Sequence, residues 1–231
     1  YAADPFISEV MSANDTTLQD SFYKSPDWIE IYNPNDQPFS LADWSLTDDP
    51  QDLQKWIFPK VSIDAKQFLV VFASGENKTE PDGELHTGFR LARDGEYLGL
   101  VKPDGTIANE FKPELPALES DQSYGVSMIG DGETLLPVDP TNMVFLFSPT
   151  PGSINTAGAV GKAGEPIFSL PAGTFVTSFE LELSSTRADE EVRYTLDGSM
   201  PTSESTPYTE PLAIDSSVMV RARCFRQGSI P

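Results

Sequence analysis

The sequence predicts an all-β protein of two domains in tandem, and three observations carry that prediction. Twenty prolines and 16 glycines punctuate 231 residues, too often for long helices. Apolar residues alternate with polar ones or gather in short runs, and no segment sustains a helical period; both patterns belong to strands. Large apolar residues give way to small ones after Ser148 and return after Pro166, as expected at a boundary between two cores.

Each strand follows from its own pattern. Phe6-Ile7-Ser8-Glu9-Val10-Met11 is the first. In Trp28-Ile29-Glu30-Ile31-Tyr32 the alternation puts Ile29 and Ile31 on one face and leaves Trp28 out of phase with them. Phe39, Leu41, Trp44 and Leu46 follow a turn at Pro34-Asn35-Asp36, and Trp56-Ile57-Phe58 stops at Pro59. Phe68 to Phe72 is apolar throughout, the mark of a strand buried on both faces. Tyr97 to Val101 leads through Asp104-Gly105, a hairpin signal, to a returning strand from Ile107 to Phe111. Met143 to Phe147 is the last apolar run of the first domain, which spans residues 1–157.

Residues 158–164 are rich in Gly and Ala and read as a linker. The second domain, 165–231, restarts the strand rhythm. Phe179, Leu181 and Leu183 alternate with Glu180 and Glu182, predicting a half-buried strand. Val192 to Leu196 runs into Asp197-Gly198, and Leu212, Ile214 and Val218 through Phe225 follow. Cys224, the single cysteine, shares a face with Val218, Val220 and Ala222 and reads as a small buried hydrophobe. Its solitude rules out an intrachain disulfide.

The formal charge is −21, from 36 acidic and 15 basic residues. Residues 1–164 hold 26 acidic and 10 basic residues, and residues 165–231 hold 10 and 5. Such a surface lacks the basic stripe that nucleic-acid binding needs and is repelled by anionic membranes. No apolar run reaches transmembrane length and no signal peptide is recognisable. The abrupt ends at Tyr1 and Pro231 suggest an excised fragment of a larger chain.

The motifs of the first domain resemble the lamin-tail domain in its bacterial form. The match runs from Ile7-Ser8-Glu9-Val10-Met11-Ser12-Ala13-Asn14 through Asp27 to Asn33, Leu41 to Asp48, and Trp56-Ile57-Phe58-Pro59. Phe89-Arg90-Leu91, Gly95-Glu96, Leu98-Gly99-Leu100, Ser123-Tyr124-Gly125 and Thr150-Pro151-Gly152 with Asn155 continue it, over about residues 5–157. Ala42-Asp43-Trp44 departs from the pattern, since the family often places Gly before Trp; a modified turn is expected there. The second domain resembles the C-terminal domain of chitobiase and β-hexosaminidase, through Tyr194 to Thr202, Tyr208, Pro211-Leu212 and Val220 to Arg223. That family carries one further strand beyond this point, so an open edge is expected. These resemblances imply immunoglobulin-like β-sandwiches in tandem. They also imply large exported bacterial proteins in which such modules accompany other domains, often one resembling the spore-coat protein H kinase.

Several residues present themselves for chemistry or binding. Glu9, Asp27, Glu30, Asp48 and Asp49 are the carboxylates available for glycosidase acid–base work, although among 36 acids chance pairs are expected. Asp48, Asp49 and Asp52 crowd one loop and suit calcium, a hard cation that takes oxygen ligands, but EF-hand spacing is absent. Asn14 and Asp27 have the alternative of bonding backbone at strand ends. His86 stands alone, which argues against zinc, and no Gly-x-Ser-x-Gly elbow is present. Trp44 and Trp56 are expected in the core and Trp28 on the surface, where Trp28, Tyr32 and Tyr208 are the residues for a sugar platform. The reading that follows is a non-catalytic interaction or spacer module at the cell surface, without a cofactor other than calcium. Its partners would be a protein or a polysaccharide and the further domains of the parent chain. Carbohydrate binding comes second and glycosidase activity third.

Overall fold

In a computed structural model, residues 2–128 and 141–230 are described, and they contain strands and turns without a helix. The chain divides into two compact units, Tyr1–Gly158 and Ala159–Pro231. The strands of the first part are β1 (Phe6–Met11), β2 (Trp28–Tyr32), β3 (Phe39–Ser40), β4 (Ser45–Thr47), β5 (Trp56–Ile57), β6 (Ser62–Ile63) and β7 (Phe68–Phe72). They continue with β8 (Leu85–His86), β9 (Leu98–Val101), β10 (Ile107–Phe111), β11 (Tyr124–Val126), β12 (Met143–Leu146) and β13 (Gly158–Ala159).

One seven-stranded sheet has the order β13-β12-β11-β1-β2-β7-β8, and a four-stranded sheet has the order β10-β9-β4-β5. Ile7, Val10, Ile29, Ile31 and Val71 from the larger sheet meet Leu46, Trp56, Leu98, Leu100 and Phe111 from the smaller one in a single buried core. Two sheets burying facing apolar rows is the sandwich expected of alternating strands. The hairpin at Asp104-Gly105 forms as predicted: β9 and β10 pair antiparallel and Gly105 turns at φ +82°. Trp44 and Trp56 are in the core. The departure at Asp43 is also resolved. The Trp44 N–H closes a turn on the Leu41 carbonyl, and Asp43 adopts φ +66°, the left-handed conformation that glycine takes without strain.

The outer face of the large sheet is the main surprise. Alternation correctly sends Trp28, Glu30 and Tyr32 to the face opposite Ile29 and Ile31, but that face is covered. Every residue of β1 and β2 is buried. Trp28 packs with Met11, Phe72 and Leu18 at one end, and Tyr32 lies between Phe6 and Phe68 at the other.

The second unit holds β14 (Gly161–Lys162), β15 (Ile167–Phe168), β16 (Phe179–Leu181), β17 (Leu183–Ser184), β18 (Glu191–Thr195), β19 (Thr206–Pro207), β20 (Leu212–Ile214), β21 (Arg221–Phe225) and β22 (Ser229–Ile230). The strand predicted from Phe179 to Leu183 is broken at Glu182. Phe179–Leu181 pairs with β20, and Leu183–Ser184 pairs with β15, so the chain changes sheets while Leu181 and Leu183 both stay buried. These two, with Val192 and Cys224, form the core. Val218, predicted on the buried face of Cys224, lies outside β21 and is exposed. The Gly/Ala stretch predicted as a linker contains strand pairing: β13 adds to β12 in the large sheet, and β14 pairs with β22. Glu190 fixes the end of this stretch by accepting the Gly164 N–H at 2.7 Å.

Candidate functional site

The first candidate is built by a bulge in β1. Ile7 pairs with Ile31, but Glu9 pairs with Glu30, one step out of register. Ser8 and Glu9 together therefore oppose Glu30, the two-against-one arrangement of a β-bulge. Apolar Ile7 and Val10, three residues apart, both stay in the core, and Glu9 and Glu30 are brought side by side on the outer face.

The closing segment seals this pair. Glu30 accepts the Ser8 hydroxyl at 2.7 Å and the Gly152 N–H at 2.6 Å. Glu9 accepts the Thr150 N–H at 3.1 Å. Asn155 donates its amide to the carbonyls of Ser8 and Val126, at 2.7 and 3.0 Å, which leaves its Oδ1 as an acceptor. A side chain on Gly125 would collide with that amide, so the glycine is part of the seal. The Thr150 hydroxyl lies 3.0 Å from both Glu9 Oε2 and Asn155 Oδ1. One hydroxyl hydrogen serves one acceptor. A protonated Glu9 donating to Thr150, which donates on to Asn155, satisfies the whole set. Burial favours that state: it raises the Glu9 carboxyl and pushes Glu30 up to about 8, because the charged form is poorly solvated there.

The remaining predicted acids are engaged locally. Asp27 accepts the Asn14 N–H at 3.0 Å, and Asn14 donates to the carbonyls of Leu18 and Pro26 at 2.7 Å, so both act as strand-end braces. Asp48 pairs with Lys55 at 2.6 Å. Asp49 accepts the Gln51 N–H, and the Thr47 hydroxyl lies 2.9 Å from the Asp49 carbonyl and 2.7 Å from that of Asp52, within reach of either. The loop is thus held from within by Thr47 and Lys55. Asp48, Asp49 and Asp52 do not converge as a calcium loop would require; among the described residues no three acidic, histidine or cysteine side chains form a metal-holding group. His86 is buried, with Nδ1 2.9 Å from the Ser74 hydroxyl.

The predicted sugar platform is corrected by burial. Trp28 is 0% exposed and Tyr32 is 9% exposed, because the outer sheet face is covered rather than solvated. Tyr208 is half-buried against the core of the second unit. Among the described residues, the exposed aromatics of the first unit are instead Phe147 at 60% and the adjacent pair Phe22 at 64% and Tyr23 at 85%. The turn of this pair is organised: Asp20 Oδ1 accepts the N–H groups of Phe22 and Lys24, and Glu84 accepts that of Ser21. Tyr23 is held at φ +60°. Sequence patterning missed the pair because they belong to no strand. The available signal was two adjacent aromatics between turn-forming residues.

A second candidate lies in the second unit. A cleft of about 880 Å³ opens between residues 168–181 and 214–220, a size typical of ligand sites. Phe168, Phe175, Val218 and Met219 line it while remaining exposed.

Comparison with known families follows this division. Residues 1–114 match the Lamin Tail Domain, and residues 170–230 match the Chitobiase/beta-hexosaminidase C-terminal domain. No curated protein matches the chain. The lamin-tail match ends at residue 114, yet the sheet continues through β11 and β12, and the seal over Glu9 and Glu30 comes from residues 150–155. Neither matched family is a catalytic domain. The chain thus resembles, in order, a lamin tail domain and a chitobiase/beta-hexosaminidase C-terminal domain, a tandem of immunoglobulin-like β-sandwich type.

Proposed function

We propose that this chain is a non-catalytic interaction module of a larger secreted or cell-surface bacterial protein, recognising a protein or polysaccharide partner beside further domains of its parent. One observation carries the non-catalytic part. The two carboxyls that the fold brings together, Glu9 and Glu30, are both 0% exposed and bonded to the closing segment, whereas a glycosidase needs its pair to flank an open cleft. Two matched accessory families support the same reading. The test is hydrolysis of chitin oligomers and aryl glycosides by the purified chain. No turnover is expected; turnover abolished by Glu30→Gln would overturn the proposal.

A second reading, carbohydrate recognition, is favoured by the Phe22–Tyr23 turn. Rigid, exposed aromatic rings offer apolar area at low entropic cost and stack on the apolar faces of sugars. Co-sedimentation with insoluble polysaccharides, with and without calcium, separates the readings. Retention lost in Tyr23→Ala makes the first unit a carbohydrate-binding module. Absence of retention on every polymer leaves a protein partner.

A further inference from the structure

The second unit gathers several exposed apolar side chains around one cleft. Phe168 is 37% exposed, Phe175 46%, Val218 40% and Met219 62%, and all four line the same cleft. Its floor is Phe179 and Ile214, cross-strand partners at the end of the β16–β20 pair, and Phe175 packs on Phe179 with ring centroids 4.4 Å apart. Contiguous exposed apolar surface around a concavity marks an interaction site on a soluble protein. The wall of the cleft has a second property. Among the described residues, Leu170 to Ser178 form no backbone pairing with another segment. Residues 171–178 are all exposed, so their C=O groups and, beyond Pro171, their N–H groups are free to meet an incoming chain. The third property is charge. Asp215 is the one ionisable residue lining the cleft, in a chain of net charge −21.

We propose that this cleft docks an extended, apolar segment bearing basic residues, supplied by another protein. Phe175, Phe179 and Met219 receive alternate apolar side chains, the free backbone of 170–178 pairs with the segment's main chain, and Asp215, in a unit of 10 acidic and 6 basic residues, receives its cations. Strand addition of this kind takes affinity from main-chain bonds and specificity from side-chain pockets. A second copy of the chain is a poorer occupant, because bringing two bodies of charge −21 together sets like charges against each other. The proposal rests on the reading of the chain as an interaction module and names the partner's chemistry.

The experiment is fluorescence anisotropy of the whole chain with three labelled nonapeptides: alternating valine and lysine, valine and glutamate, and serine and lysine. The valine–lysine peptide is expected to bind and the other two to bind at least tenfold more weakly. Phe175→Ser and Met219→Ser, both at exposed positions, are each expected to weaken it about tenfold, with unchanged far-UV circular dichroism. Asp215→Asn is expected to weaken it several-fold and to flatten its salt dependence. Equal binding of the serine–lysine peptide, or binding that survives both apolar substitutions, would be adhesion to the acidic surface and would overturn the proposal. So would a concentration-dependent dimer in sedimentation that Phe175→Ser abolishes, since the occupant is then a second copy. Polysaccharide retention without peptide binding would sink this inference while sparing the interaction module; glycoside turnover would sink the module itself.

Discussion

The two units spend their apolar residues differently. Among the described residues, the main core of the first unit gathers 19 buried side chains and that of the second gathers four. The second unit, less than half as long, nevertheless exposes nine large hydrophobic residues against six in the first. Size accounts for part of this, since small domains bury a smaller share of their surface. It does not account for the clustering, because Phe168, Phe175, Val218 and Met219 are gathered around one cleft. The first unit closes over its own sheet; the second keeps an apolar face open. The difference teaches where each unit's stability and each unit's binding surface reside.

The largest effect that would break this comparison concerns Trp28. As a fully buried residue, its replacement in Trp28→Ala is expected to destabilise the first unit by about 3–5 kcal/mol, read by chemical denaturation. A cost near zero would mean that the outer face is solvated after all. The counterpart in the second unit is Leu183→Ala, with an expected cost of about 2 kcal/mol, the low end for such a change in a small core. All three tryptophans, Trp28, Trp44 and Trp56, lie in the first unit. The loss should therefore appear in far-UV circular dichroism and leave the tryptophan transition in place.

The Glu30 lock sharpens the comparison through pH. Burial pushes the folded carboxyl up to about 8, while the unfolded group ionises near the ordinary glutamate value of 4.5. Between these values the folded state holds a proton that the unfolded state has released, so stability falls as pH rises through this window. Glu30→Gln keeps a similar shape and removes the titration. The melting temperature of the first unit is expected to fall from pH 5 to pH 8 in the parent and to fall less steeply in the variant. Identical slopes would show that the carboxyl is already ionised. Glu30→Ala, which strands the Ser8 and Gly152 donors, is expected to cost about 1–3 kcal/mol. The smallest effect is at the departed turn: Asp43→Gly relieves a left-handed residue at φ +66° and is expected to stabilise by about 0.5–1 kcal/mol. A destabilisation there would mean that the Asp43 side chain contributes more than its backbone strain costs.

Much of the fold was legible because strand burial writes a period of two into the chain. Ile29 and Ile31, the Asp104-Gly105 hairpin, the core tryptophans Trp44 and Trp56, and the family motifs were all readable on that basis. Asn14 and Asp27 were also readable as backbone braces, because a short polar side chain near a turn finds main-chain partners close by. The candidate site was much less legible. Alternation told which face Trp28 and Tyr32 occupy but could not tell that the face is covered, since the cover comes from Leu18, from Val126 and Met128 and from residues 150–155, distant in sequence. The acidic run at Asp48, Asp49 and Asp52 suggested a cation; the fold turned its groups toward Lys55 and Thr47 instead.

The sequence by itself determined the class, the number of units and the families, because these depend on local periodicity, turn chemistry and motif order. Only the tertiary structure decided that Glu9 and Glu30 meet through a bulge and are sealed by a segment more than a hundred residues later. It alone decided that Phe22 and Tyr23 face solvent while Trp28 does not, and that Phe168 and Met219, fifty-one positions apart, line one cleft. The physical reason is the same throughout. Which side of a strand a residue occupies is fixed by its neighbours in the chain. Whether that side meets water is fixed by what the rest of the chain lays across it.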